Sequence, residues 1–249
     1  LYERIRPFSE KRKETAEGGV RVETVEMRVV ARARSGFPVK FGIPRQSGLV
    51  EALRAEIVFE PEFRSPEALR GLEGFSHLWL LWEFSANRRE SWSPTVRPPR
   101  LGGNQRVGVF ASRSPFRPSP IGISCVTLEG IDLYTPEGPV LTVGGGDLLD
   151  GTPILDIKPY VPLSDCQPQA RGGFSDDHRA DRLSVDFPPA LLAKVPEELR
   201  EALWGVLEGD PRPGYHHDPE RVYGLPFSGL EVKFAVAEGV LQVRAVEQE

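Results

Sequence analysis

Cysteine is nearly absent: Cys125 and Cys166 are the only two in 249 residues. That excludes a disulfide framework and a cysteine-rich zinc site, so each is expected as a small buried or half-buried side chain. Histidine is scarce too. His77, His178, His216 and His217 match no zinc spacing, and the adjacent pair cannot share one strand face, so no metal is expected. No apolar run approaches the roughly 20 residues that a membrane-crossing helix needs. The opening "LYERIRPFSEKRKETAEGG" lacks the apolar core of a secretory leader. A cytoplasmic protein with no membrane partner is the expectation. A phosphate-binding loop is also missing, because the glycines of "GGGDLLDG" (144–151) lead into acids and no Gly-Lys-Ser/Thr follows.

What is plentiful is glycine, proline and unevenly placed charge. The 25 glycines and 24 prolines are spread along the chain, which implies many turns. The formal net charge of −5 argues against a polyanion partner, but its distribution argues the other way. Between 88 and 117 stand Arg88, Arg89, Arg97, Arg100, Arg106, Arg113 and Arg117 against one acid, Glu90. Residues 171–249 carry fifteen acids against nine Lys and Arg. One region therefore suits nucleic-acid phosphates while the rest keeps the chain soluble; a solvated arginine-rich loop is the plainer alternative.

Hydrophobic patterning predicts strands at "VRVETVEMRVVARARS", "ALRAEIVFE", "FSHLWLLWEF", "RVGVFAS", "IGISCVTLEGIDLY", "PVLTVGG" and "PILDIKPYV". A short helical turn is expected in "SPEALRGLEG", with Ser65 and Pro66 at its start. So many short strands without long helices between them exclude a doubly wound sheet and favour a small closed or nearly closed β-barrel. Residues 165–187 read as a polar linker. Beyond them come a helix interrupted near Val195–Pro196 and two strands joined around Glu238–Gly239. The expected architecture is mainly β: a barrel domain over 20–165 and a smaller α+β domain over 188–249. The small domain is marginal alone and should pack on the barrel or on another subunit.

Three stretches carry candidate chemistry. In "ASRSPFRPSPIG" (111–122), Pro115, Pro118 and Pro120 stiffen a loop that projects Arg113 and Arg117, whose forks suit carboxylates and phosphates. The glycines of 144–151 either make a tight turn or admit a flat ligand, and Asp147 or Asp150 could then bond a ribose. "PILDIKPY" sets Asp156, Lys158 and Tyr160 on one face, which is either a polar site or a surface charge ladder. His77, in the aromatic strand, is a core histidine or a site residue.

Five segments, "KFGIPRQSGL", "LEGFSHLWLLWEF", "GVFASRSPFRPSPIGIS", "DLLDGTPILDIKPY" and "YHHDPERVYGL", together resemble the successive signatures of the TsaA-like, or TrmO, family of tRNA adenosine-37 N6-methyltransferases. The likeness runs from about 20 to 235. It implies a non-Rossmann β-barrel that uses S-adenosylmethionine to methylate N6 of N6-threonylcarbamoyladenosine at position 37 of tRNA. The implied working unit is a homodimer with its active region near the interface. By the same resemblance Pro44, Arg45, Gln46, Ser76, His77, Arg113, Ile123 and the turn Leu148, Leu149, Asp150, Gly151 and Thr152 contact the cofactor. Asp156, Tyr160 or His77 would accept or relay the proton of the reacting nitrogen or orient the base, and Lys158 or Arg117 would balance charge on the neighbouring carbonyl oxygen or hold the threonine carboxylate. Arg88, Arg89, Arg97, Arg100, Arg106 and Arg117 would hold the anticodon stem-loop. Two other readings remain: an enzyme of this fold with another RNA or small-molecule substrate, and a non-catalytic RNA-binding module.

Overall fold

The structure, a computed structural model, describes residues 23–87, 91–98, 105–178, 182–213 and 218–248. The strands β1 (Ala31–Ser35), β2 (Arg54–Phe59), β3 (His77–Glu83), β4 (Thr95–Val96), β5 (Val107–Gly108), β6 (Ile121–Thr135), β7 (Gly138–Gly144) and β8 (Pro153–Pro159) come first. A one-turn helix α1 (Pro162–Asp165) follows, then β9 (Ser184–Asp186), α2 (Pro189–Leu192) and α3 (Glu197–Glu208). The chain closes with β10 (Tyr223–Phe227), β11 (Leu230–Ala237) and β12 (Val240–Gln248).

Six strands close into a barrel in the order β1-β2-β7-β6-β3-β8. The expected barrel is therefore present, and the reason is visible in β3. Leu78, Leu80 and Trp82 point inward while His77, Trp79, Leu81 and Glu83 point out, the period-two pattern of a strand with one buried face. Ile57, Leu141, Val143, Leu148 and Ile154 complete the barrel core. Gly122 is required there, since a Cβ at that position would lie 2.3 Å from Cε2 of Trp82.

Several local expectations differ in detail. Of "VRVETVEMRVVARARS" only Ala31–Ser35 is a strand among the described residues, because pairing partners begin there. "RVGVFAS" gives a two-residue strand in a small β4–β5 hairpin outside the barrel, because Val109 turns into a 3-10 turn and is buried. The helical turn after Ser65 is a pair of 3-10 turns, Pro66–Leu69 and Leu72–Gly74, split by Gly71.

The C-terminal part is a four-stranded sheet, β10-β11-β12-β9, covered by α2 and α3. Its helix breaks at Val195–Pro196 as expected, and Glu238 and Gly239 both take the positive φ of a tight hairpin turn. β9 draws Ser184–Asp186, read from sequence as linker, into this sheet parallel to β12. The core between α3 and the sheet also takes in Phe37, Val50 and Leu53 from the loop between β1 and β2. Both ends of that loop, 36–53, are thus seated in the C-terminal core.

Candidate active-site cleft

A cleft of about 1380 Å³ opens at one end of the barrel. Its walls come from segments far apart in sequence: Lys40 and Ile43–Gln46 of the 36–53 loop, the end of β3 through Asn87, the β4–β5 hairpin, the proline-rich loop Phe110–Arg117, and the start of β6. Asp147, Leu149 and Thr152 form its floor, and Gly172, Phe174 and Ser175 reach it from the segment read as a polar linker. Ligand sites usually run to about 300–1,000 Å³. This one has room for more than one small molecule.

Two charged groups define it. Arg113 Nη1 donates to Gln46 Oε1 at 2.5 Å, which ties the proline-rich loop to the 36–53 loop. The Asp147 carboxyl is pushed above the usual carboxylate range by burial, against the opposing pull of hydrogen bonds from Ser124 and its own backbone and of the Arg113 charge. It is held from inside the barrel: Trp82 Nε1 donates to Ser124 Oγ at 2.9 Å, and Ser124 Oγ donates to Asp147 Oδ1 at 2.5 Å. Ser124 is fully buried. The cleft therefore offers a guanidinium and a half-buried carboxylate between apolar walls that include Phe84, Ile123 and Leu149.

The 36–53 loop is positioned by backbone bonds to the glycine-rich turn, Gly145 N to Leu53 O and Gly48 N to Gly145 O, both 2.8 Å. Lys40 Nζ adds a bond to the Ala86 carbonyl at 2.7 Å. Within the loop Gly42, with φ +89°, lies so close to Leu225 of β10 that a Cβ would stand 2.1 Å from Leu225 Cδ1. Phe41 and Ile43, on either side of Gly42, pack against the C-terminal core.

Of the residues singled out from sequence, Pro44, Arg45, Gln46, Arg113, Ile123, Leu149 and Thr152 line the cleft, and so do Arg97, Arg106 and Arg117. Leu148 points into the barrel core instead. Asp150 accepts a bond from Ser35 N at 3.0 Å and Gly151 N donates to Ala33 O, so these two build the turn. Ser76 and His77 do not line the cleft; they bond each other at 2.9 Å at the start of β3. Asp156 and Lys158 form an ion pair at 2.9 Å on the barrel's outer wall, and Tyr160 packs its ring 5.7 Å from Trp79 and 6.1 Å from His77. None of these lines the cleft. The reading of that face as a surface charge ladder is the one the geometry supports. Arg88, Arg89 and Arg100 lie outside the described residues.

Lys40, Ser85–Asn87, Gly172, Phe174 and Ser175 reach the cleft through tertiary packing and carry no local signature in the sequence. Cys125 and Cys166 are both free, the first half-buried and the second exposed. No group of three or more metal-ligating side chains occurs among the described residues. No helix among them is long and apolar enough to cross a membrane.

Two family models match the chain: the tRNA-methyltransferase O N-terminal domain over residues 32–166, and the TrmO C-terminal domain over 180–249. The tRNA (adenine(37)-N6)-methyltransferase of Escherichia coli (strain K12) is 39% identical over 222 residues, covering 86% of this chain and 94% of that protein. A putative S-adenosylmethionine-dependent methyltransferase of Pseudomonas aeruginosa is 42% identical over 210 residues, 80% of this chain and 87% of its own length. A crystal structure of TrmO from Pseudomonas aeruginosa superposes with a TM-score of 0.74 at 34% identity, covering 93% of this chain and all of that one.

Proposed function

The chain belongs to the tRNA-methyltransferase O family, and from that premise we propose that it methylates N6 of N6-threonylcarbamoyladenosine at position 37 of tRNA with S-adenosylmethionine. The observation that carries this reading is a guanidinium and a half-buried carboxylate facing one cleft large enough for a cofactor and a nucleoside together.

The residues present fit such a cofactor. Its carboxylate suits the Arg113 fork, already oriented by Gln46. Its cationic groups suit Asp147, whose burial in charged form is costly until a positive charge arrives. Its flat base suits the apolar walls near Ile123 and Leu149. The cofactor supplies an activated methyl group. The chain's own part is alignment and exclusion of water: Pro44–Gln46, Arg113, Leu149 and Thr152 hold one ligand while the other side of the cleft presents the substrate nitrogen. As the S–CH3 bond breaks and the N–CH3 bond forms, the proton on N6 has to leave, and Glu83 and Asp147 are the carboxylates lining the cleft that could accept it. Asp156, Tyr160, His77 and Lys158 are assigned no proton step within one protomer, because none faces the cleft.

Arg97, Arg106 and Arg117 stand at the cleft and are the described candidates for anticodon-loop phosphates. Position 37 lies in a single-stranded loop, so a base reaches the cleft without opening a duplex. We propose a homodimer as the working unit. The outer wall carries exposed Ile123, Val161 and Leu163 beside Trp79, and Ile123 also lines the cleft, so apolar surface runs from the site onto that wall. Sedimentation at micromolar concentration tests it, and a monomer there would remove the dimer from the account.

Nucleoside mass spectrometry provides the test of function. tRNA from cells lacking this activity should gain the methylated threonylcarbamoyl nucleoside when the chain is expressed, and an unchanged nucleoside profile would overturn the proposal.

A further inference from the structure

Beside the cleft stands a pair of aromatic rings that the fold does not need. Phe110 is 75% exposed and Trp92 is 53% exposed, with ring centroids 6.5 Å apart and planes inclined by 35°. Neither belongs to a hydrophobic core cluster. Single exposed aromatics are ordinary, but two in contact on a short, well-tied support are not explained by folding. The support is the β4–β5 hairpin. Val109 N donates to Pro94 O at 2.9 Å, and the buried Val109 side chain pins the segment that carries Phe110. Ser93 Oγ donates to Thr95 O and accepts from Thr95 N, which fixes the turn that follows Trp92.

Positive charge stands on the same hairpin, at Arg97 and Arg106. Arg106 is held by Thr95 Oγ1 at 2.9 Å, and it lines the cleft together with Arg97 and Phe110 itself. Aromatic faces flanked by guanidinium groups match unpaired nucleotides, in which a base stacks and the adjoining phosphate is neutralised. They match the surface of a second protein less well, because fixed cations at the rim bring repulsion and desolvation unless acids face them.

We propose that Trp92 and Phe110 form a stacking platform for the unpaired bases next to the target nucleotide, so that the target base is drawn from the loop into the cleft while its neighbours rest on the rings. The inference rests on the tRNA reading above and adds to it the element that recognises an unstacked loop. Stacking on a protein ring is sequence-tolerant, since every base has a π-face, so the platform selects single-stranded conformation rather than base identity.

The experiment uses the full chain and an anticodon stem-loop RNA, with RNA binding read by fluorescence anisotropy and methyl transfer measured in parallel. Trp92→Ala should weaken RNA binding about tenfold, within the range alanine substitution gives for one stacked base, and raise the KM for RNA by the same factor. Affinity for S-adenosylmethionine and kcat at saturating RNA should stay as in the parent. Trp92→Phe should restore most of the loss, which a folding defect would not allow. On RNA with abasic sites flanking the target, the parent should bind as weakly as Trp92→Ala, and the substitution should cost nothing further. A Trp92→Ala/Phe110→Ala variant that binds RNA within twofold of the parent overturns the platform, as does an equal loss on abasic RNA. If that variant instead loses self-association while RNA binding is kept, the rings face a second copy and the platform is likewise overturned. Ring-dependent RNA binding by a parent that transfers no methyl keeps the platform and sinks the enzymatic reading. Transfer with ring-independent KM does the reverse.

Discussion

Replacing Gly42 with alanine probes how the C-terminal sheet sets the geometry of the cleft. Gly42 has φ +89°, where a side chain costs about 1–3 kcal/mol in backbone strain. Its new Cβ would also lie 2.1 Å from Leu225 Cδ1. Leu225 is fully buried among Phe37, Phe227 and Phe234, so it has no open space to retreat into. Overpacking of this kind costs about 1–3 kcal/mol. The combined penalty of about 2–6 kcal/mol is a large part of a domain's stability, and the loop is the part able to give way. A shift of about 1 Å in a positioning loop can cost two orders of magnitude in rate. Gly42→Ala should therefore lower the melting temperature and weaken S-adenosylmethionine binding, because Pro44–Gln46 move with the loop. Leu225→Ala removes the colliding methyl groups at a cost of about 2–5 kcal/mol on its own. In the double variant the two losses should fall short of their sum by about 1–3 kcal/mol. Calorimetric melting and titration of the cofactor into the four proteins complete the cycle. Additive losses, or a Gly42→Ala protein with parental affinity and melting temperature, would refute the reasoning.

Asp147→Asn should separate stability from binding. The folded Asp147 holds its proton more tightly than the unfolded chain does, so its contribution is fully present below the unfolded carboxylate pKa and is lost as pH rises through the raised folded value. The neutral amide escapes that loss, so the variant should melt higher than the parent at pH 7 while binding S-adenosylmethionine more weakly; equal melting curves across pH would contradict the burial argument. Arg97→Ala should weaken tRNA binding and flatten its dependence on log salt by about one unit, as expected for loss of one phosphate contact, and a parental slope would remove Arg97 from the RNA interface. Asp156→Asn should leave kcat within about twofold of the parent, since Asp156 does not line the cleft and its exposed pair with Lys158 adds little to the fold. A hundredfold loss in a steady-state assay would return Asp156 to the reaction.

The barrel was legible where burial is one-sided. Leu78, Leu80 and Trp82 alternate with partly exposed neighbours, and that rhythm alone identifies β3. β10 gave no such signal, because Gly224 and Pro226 both weaken a strand pattern; Pro226 is tolerated since β10 is an edge strand. The site divides along the same line. Arg113 at the head of the proline-rich loop and the Pro44–Gln46 run announce themselves locally. The choice between Asp147 and Asp150 depends on which carboxylate the turn directs inward, and that is fixed by Ser124 and Ser35, 23 and 115 residues away in sequence. His77, Asp156 and Tyr160 carry candidate chemistry but do not line the cleft of a single chain. Side-chain identity does not say which end of a barrel carries the opening, and closure of the six strands decides that.

The central claim is tested most directly by mixing the purified chain with methyl-labelled S-adenosylmethionine and two tRNA pools, one bearing N6-threonylcarbamoyladenosine and one lacking it. Label should enter the modified pool alone, mapped to position 37. Label absent from both pools, with cofactor binding intact, would contradict it and assign the cleft to another substrate.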